Sequence, residues 1–163
     1  SKLGKLRTVF DRTGTVTAGN ASQVTDGGAA LLIMTKAGLK KTGCKPLAQI
    51  VDYAYSGCDP KRMGLGPVHA INKLPIKLKN MNLIEVNEAF AAQVIACQKE
   101  LDIPADKLNV NGGAIALGHP LAASGARLAL TLSKELKRQN LKQGVASLCV
   151  GGGQGGALWF RSI

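Results

Sequence analysis

Gly144-Val145-Ala146-Ser147-Leu148-Cys149-Val150-Gly151-Gly152-Gly153-Gln154-Gly155-Gly156-Ala157-Leu158-Trp159-Phe160 reads as two apolar strands joined by a five-glycine connection that holds Gln154. Val145 to Val150 is short, apolar and bounded by glycine, the pattern of a strand buried on both faces. The short link makes Ala157 to Phe160 its antiparallel hairpin neighbour.

Working back from this pair, Leu128, Leu132 and Leu136 recur every fourth residue in a long helix, with Lys134, Lys137 and Arg138 toward its C-terminal end. A glycine-rich turn ending in His119-Pro120 precedes it. Leu83-Ile84-Glu85-Val86 is a short strand, and Asn87 is placed to cap a helix running to Leu101, with Phe90, Val94 and Leu101 on one face. Pro67 to Lys73 begins a helix that Pro75 interrupts. Pro46 to Tyr55 is a strand, Lys36 to Lys41 a brief helix stopped at Gly43, and Ala29-Ala30-Leu31-Leu32-Ile33-Met34 another buried strand. Gly14 and Gly19 enclose a β-branched stretch, Thr15-Val16-Thr17. Strands alternating with helices predict an α/β fold: a mixed, mostly parallel sheet flanked by helices and ending in an antiparallel strand pair. In such sheets ligands sit beyond the strand ends.

The 163 residues suit one domain, and 45% apolar residues suffice for a core. No run approaches eighteen uninterrupted apolar residues, and Ser1 to Arg7 lacks the apolar stretch of a signal peptide, so the expectation is a soluble protein with no membrane partner. Cys44, Cys58, Cys97 and Cys149 are far apart and none has metal-site spacing, which predicts no zinc site and a reducing, cytoplasmic compartment. The net charge of +11 raises a nucleic-acid reading. Scattered lysines and 4% aromatic residues oppose it, because a stacking platform needs more aromatic surface. The same charge suits phosphate-bearing small molecules, or a solvated lysine face.

Of two histidines and four cysteines, His119 and Cys149 both lie at glycine-rich edges of elements. An imidazole and a thiol next to accessible backbone N–H groups are what acyl transfer needs. A helix N-terminus after His119 disfavours a second proton on the ring. Plainer readings stand beside these: a histidine satisfied in its turn, a core cysteine, and an Asn87 that only caps.

Thr15-Val16-Thr17-Ala18-Gly19-Asn20-Ala21-Ser22, Asn87-Glu88-Ala89-Phe90-Ala91, Asn111 to Pro120, Ser124-Gly125-Ala126-Arg127 and Cys149-Val150-Gly151-Gly152-Gly153 together resemble the thiolase signatures, in the thiolase order. The resemblance covers essentially the whole chain but only the C-terminal part of a thiolase. It implies a thiolase-like C-terminal domain over 23–163, with 1–22 as the end of the loop domain and an entry strand. His119 would activate a nucleophilic thiol and, with Asn87 through a water, stabilise the thioester oxyanion. Cys149 would be the acid/base at the α-carbon. The Gly151 N–H would serve a second oxyanion hole, and Ser22, Ala89 and Phe90 would line the pantetheine channel.

The implied activity is acyl transfer between coenzyme A and a cysteine, coupled to Claisen condensation or thiolytic cleavage in fatty acid metabolism, with acyl-CoA as substrate and no metal or other cofactor. The thiolase nucleophile in a Cys-x-Ser-Gly turn is not among the four cysteines. The expected partner is therefore an N-terminal thiolase half that carries it, and the complete protein is expected to be a homo-oligomer, dimer or tetramer, in the cytoplasm or an organelle. The rival expectation is a non-catalytic thiolase-like module for acyl-CoA binding or assembly. Ala122 stands where the family usually has glycine, and the segment from Asn72 to Asn80 is shortened.

Overall fold

The glycine-framed apolar runs become the strands of one mixed sheet. The structure, a computed structural model, describes residues 2–163. Its elements are α1 (Lys36–Thr42), β1 (Ala48–Gly57), α2 (Gly66–Lys73), β2 (Leu83–Val86), α3 (Ala91–Glu100), α4 (Ala114–Leu117), α5 (Leu121–Arg138), β3 (Gln143–Val150) and β4 (Gln154–Ser162). The sheet order is β1-β4-β3-β2.

The expectation of a mixed α/β sheet closed by an antiparallel pair holds; "mostly parallel" does not. Only β2 and β3 run parallel, while β4 lies antiparallel to both β3 and β1. The reason is connectivity. Just one long helical crossover, through α3 to α5, links sheet neighbours, whereas the Gly151–Gly153 turn reverses the chain into β4.

Two apolar layers hold the sheet. On one face Ala70, Ile71, Val94 and Met81 pack against Ile84, Val86, Val145 and Ala157. On the other, Leu128, Leu132 and Leu136 of α5 cover Leu83, Ala146 and Phe160. The alternation along β2 follows from the pleat, which sends Ile84 and Val86 one way and Leu83 and Glu85 the other. The glycines of β4 have a steric cause: a Cβ on Gly155 would fall 2.0 Å from the Gly66 carbonyl oxygen, so two backbones cross in contact where α2 begins.

Two local expectations fail. Ala29 to Met34 forms no strand, and Leu32 and Ile33 stand 82% and 70% exposed. No described strand pairs with this run, and an unpaired extended segment leaves its N–H and C=O groups to solvent. Asn87 does not cap α3, which starts four residues later after an extended Phe90. The Asn87 N–H instead extends the parallel ladder to the Ser147 carbonyl at 2.9 Å, and the Ala91 N–H is taken by the Asn20 carbonyl at 2.8 Å. Among the described residues no helix is long and apolar enough to cross a membrane.

Candidate active site at the strand ends

The site forms where β2 ends, and a short wrapped segment assembles it. Residues 20–25 run across two turns: the Ser22 N–H donates to the Ala89 carbonyl at 2.9 Å, Ala21 bridges Phe90, and Val24 bridges His119. Ser22, Ala89 and Phe90, the expected channel residues, are thereby brought together by backbone. Phe10 meets Phe90 edge-on at 5.7 Å between ring centres.

Glycine geometry sets the approach to His119. Gly118 has φ +98° and lies so close to Thr25 that a Cβ would fall 2.5 Å from its methyl carbon. Thr25 Oγ1 accepts the His119 backbone N–H at 3.2 Å. Glu88 holds the other side of the turn: its carboxylate accepts the Ile115 N–H at 3.1 Å at the start of α4, against Gly113. Neither Thr25 nor Glu88 stands out in the sequence as a site residue, because their task is to hold backbone.

His119 and Asn87 meet directly. Asn87 Nδ2 is 3.3 Å from His119 Nε2, and Ser124 Oγ is 2.6 Å from Nδ1. Asn87 and Ser124 are both fully buried. Among the described residues Asn87 Oδ1 is buried without a partner. Burial, reinforced by the Arg127 guanidinium, lowers the His119 pKa below the ordinary histidine value, so the ring is neutral and basic at neutral pH.

Cys149 is placed differently. The pleat of β3 turns it to the face that carries Val145, whereas Asn87, one residue past the Val86–Ser147 pair, turns to the α5 face. The two share one end of the sheet without a hydrogen bond between them. Burial raises the Cys149 pKa, and nearby Cys58 adds to it, so the group is a thiol at neutral pH. Gly151 is exposed in the turn, and a Cβ there would meet nothing within 4 Å. Backbone there is open to an approaching oxygen. Ala122 is exposed in the first turn of α5. Among the described residues, no three His, Cys, Asp or Glu side chains converge as a metal site would require.

Comparison with known proteins shows the family and the fold of the chain. Residues 44–162 match the family described as thiolase, C-terminal domain, and residues 1–37 match thiolase, N-terminal domain. The mitochondrial 3-ketoacyl-CoA thiolase of Mus musculus is 54% identical over 165 residues, covering 99% of this chain and 42% of the relative. The crystal structure of the Bacillus anthracis acetyl-CoA acetyltransferase superposes with a TM-score of 0.95 at 49% identity, over 99% of this chain and 42% of that one. The human mitochondrial 3-ketoacyl-CoA thiolase in complex with CoA gives 0.91 at 48% identity, with the same coverage. The chain thus spans about two fifths of the length of these relatives.

Proposed function

Because the chain belongs to the thiolase family, we propose that it supplies the acid–base half of an acyl-CoA transferase site, with the nucleophilic cysteine coming from N-terminal thiolase sequence. The contact between Asn87 and His119 carries this reading, since it sets a neutral imidazole beside a buried amide at an open sheet end. His119 Nε2 takes the proton of the attacking thiol, and the thiolate bonds to the thioester carbon as the coenzyme A thiolate leaves and is reprotonated. His119, once it carries that proton on Nε2, and Asn87, acting through a water, hydrogen bond the thioester or enolate oxygen as charge develops on it.

In the thiolytic direction the cysteine thiolate adds to the 3-keto carbon, and the bond from that carbon to the α-carbon breaks. Cys149, which begins as a thiol, gives its proton to the α-carbon of the departing enolate. Coenzyme A then takes up the acyl group and returns its proton to Cys149. Its thiolate then serves as the base in the reverse condensation. The Gly151 N–H is assigned to the tetrahedral oxyanion at the acylated cysteine, and Ser22, Ala89 and Phe90 to the pantetheine arm.

The test is a thiolysis assay on the chain joined to, or co-produced with, a thiolase N-terminal portion. His119→Ala is expected to lower kcat by about 10²–10⁴-fold and Asn87→Ala by about 10²–10³-fold. The parent rate should rise with pH through a value below the ordinary histidine pKa, since the neutral imidazole is the active form. Parent-like rates in both variants would overturn these roles and leave a binding module.

A further inference from the structure

Ser124 lies five residues after His119, in the first turn of α5, and is fully buried. Its hydroxyl lies 2.6 Å from His119 Nδ1 and 3.1 Å from the Pro120 carbonyl oxygen. A hydroxyl has one proton to give, whereas a carbonyl oxygen only accepts. If the proton goes to Pro120, Ser124 Oγ accepts at Nδ1, and Nδ1 must carry the ring hydrogen. The far side of the ring agrees with this direction. Asn87 Nδ2, a donor, faces Nε2, which then offers its lone pair.

We propose that Ser124 is a positioning residue that fixes His119 as the Nδ1–H tautomer and leaves Nε2 as the free base. Three bonds run in one direction: Asn87 Nδ2–H to His119 Nε2, His119 Nδ1–H to Ser124 Oγ, and Ser124 O–H to the Pro120 carbonyl. Reversing the first places the ring hydrogen on Nε2 and requires Asn87 to present Oδ1. The hydroxyl of Ser124 must then turn from Pro120 to Nδ1. The two arrangements are exclusive, and only the first has a basic nitrogen beside Asn87. The assignment holds whatever reaction the site serves, so it stands or falls separately from the proposed chemistry.

Nitrogen-15 NMR of the histidine-labelled chain reads the tautomer directly, at a pH of about 8 where His119 is neutral. The chain has only one other histidine, His69, which is exposed on α2 and serves as the comparison signal. The expected spectrum shows His119 Nδ1 protonated and Nε2 with a lone-pair shift. In Ser124→Ala both His119 nitrogens should move toward averaged values while His69 and the backbone amide spectrum stay in place. Should Ser124→Ala fail to fold, Ser124→Cys, with a weaker acceptor, is expected to shift the same two nitrogens in the same direction. A protonated Nε2 in the parent would overturn the proposal, as would His119 shifts unchanged in a folded variant.

Discussion

At the scale of single residues, backbone permissiveness at glycine does as much for the site as side-chain chemistry. Gly118 combines a left-handed φ with contact against Thr25, and both are needed to hand the next residue, His119, to the strand ends. Gly112 has a similar φ, +77°, with nothing within 4 Å of a Cβ. The two separate strain from collision. Gly112→Ala is expected to cost about 1 kcal/mol, the penalty of a left-handed residue. Gly118→Ala should cost more than about 2 kcal/mol, because Thr25 must also move. Urea unfolding of both variants checks the order. His119 itself was legible from its neighbours in the sequence. Ser124 was legible only as a small residue, since nothing in a string shows that a hydroxyl five positions on returns to the ring.

At the scale of elements, the β2–α5 contact carries a buried charge that the apolar pattern hides. Glu85 faces α5 between Leu83 and Asn87 and is almost wholly buried, with one carboxylate oxygen lacking a partner among the described residues. Both terminal nitrogens of Arg127 are likewise buried without a hydrogen-bond partner among the described residues. Burial raises the Glu85 pKa to about 7; the Arg127 cation opposes this, and Glu88 and Glu135 add to it. A carboxyl whose folded pKa lies above its unfolded value contributes stability in full below the unfolded value, and loses it as pH rises through the folded one. Between pH about 4.5 and 8, the stability of Glu85→Gln relative to the parent should therefore shift in the variant's favour by roughly 3 kcal/mol. Denaturant titrations at a series of pH values measure the difference, and a flat profile would contradict it. The strand at Leu83–Val86 was plain from its residues, but the cation that opposes the rise in the pKa of its charged member, Arg127, lies on a helix more than forty positions away.

At the scale of the whole molecule, apolar surface left open is as informative as the core. Leu31, Leu32, Ile33 and Leu39 flank a cavity of about 1150 Å³ with Ile50 and Tyr53 of the edge strand β1. Leu32 and Ile33 bury little against this chain, and contiguous apolar surface of this kind promotes association. The chain by itself is expected to self-associate and to bind an apolar dye. Leu32→Ser with Ile33→Ser should reduce both while leaving the unfolding free energy within about 0.5 kcal/mol of the parent. Size-exclusion chromatography with light scattering reads the association, and a large loss of stability would show that the run is packed after all. The same exposure explains why an apolar run with the composition of a buried strand forms none: burial on two faces is a property of neighbours.

By itself the sequence determined the alternation of strands and helices, the closing hairpin, the family, and which residues we propose for the chemistry. These are short-range matters of apolar period, glycine placement and motif order. The tertiary structure decided that β4 enters between β3 and β1, so that antiparallel pairing prevails. It turned Asn87 from a helix cap into a partner of His119, because a parallel ladder took its N–H and the pleat aimed its side chain at α5. It also set the protonation states of His119 and Cys149 by burial and nearby groups, and these exist only once distant segments have packed.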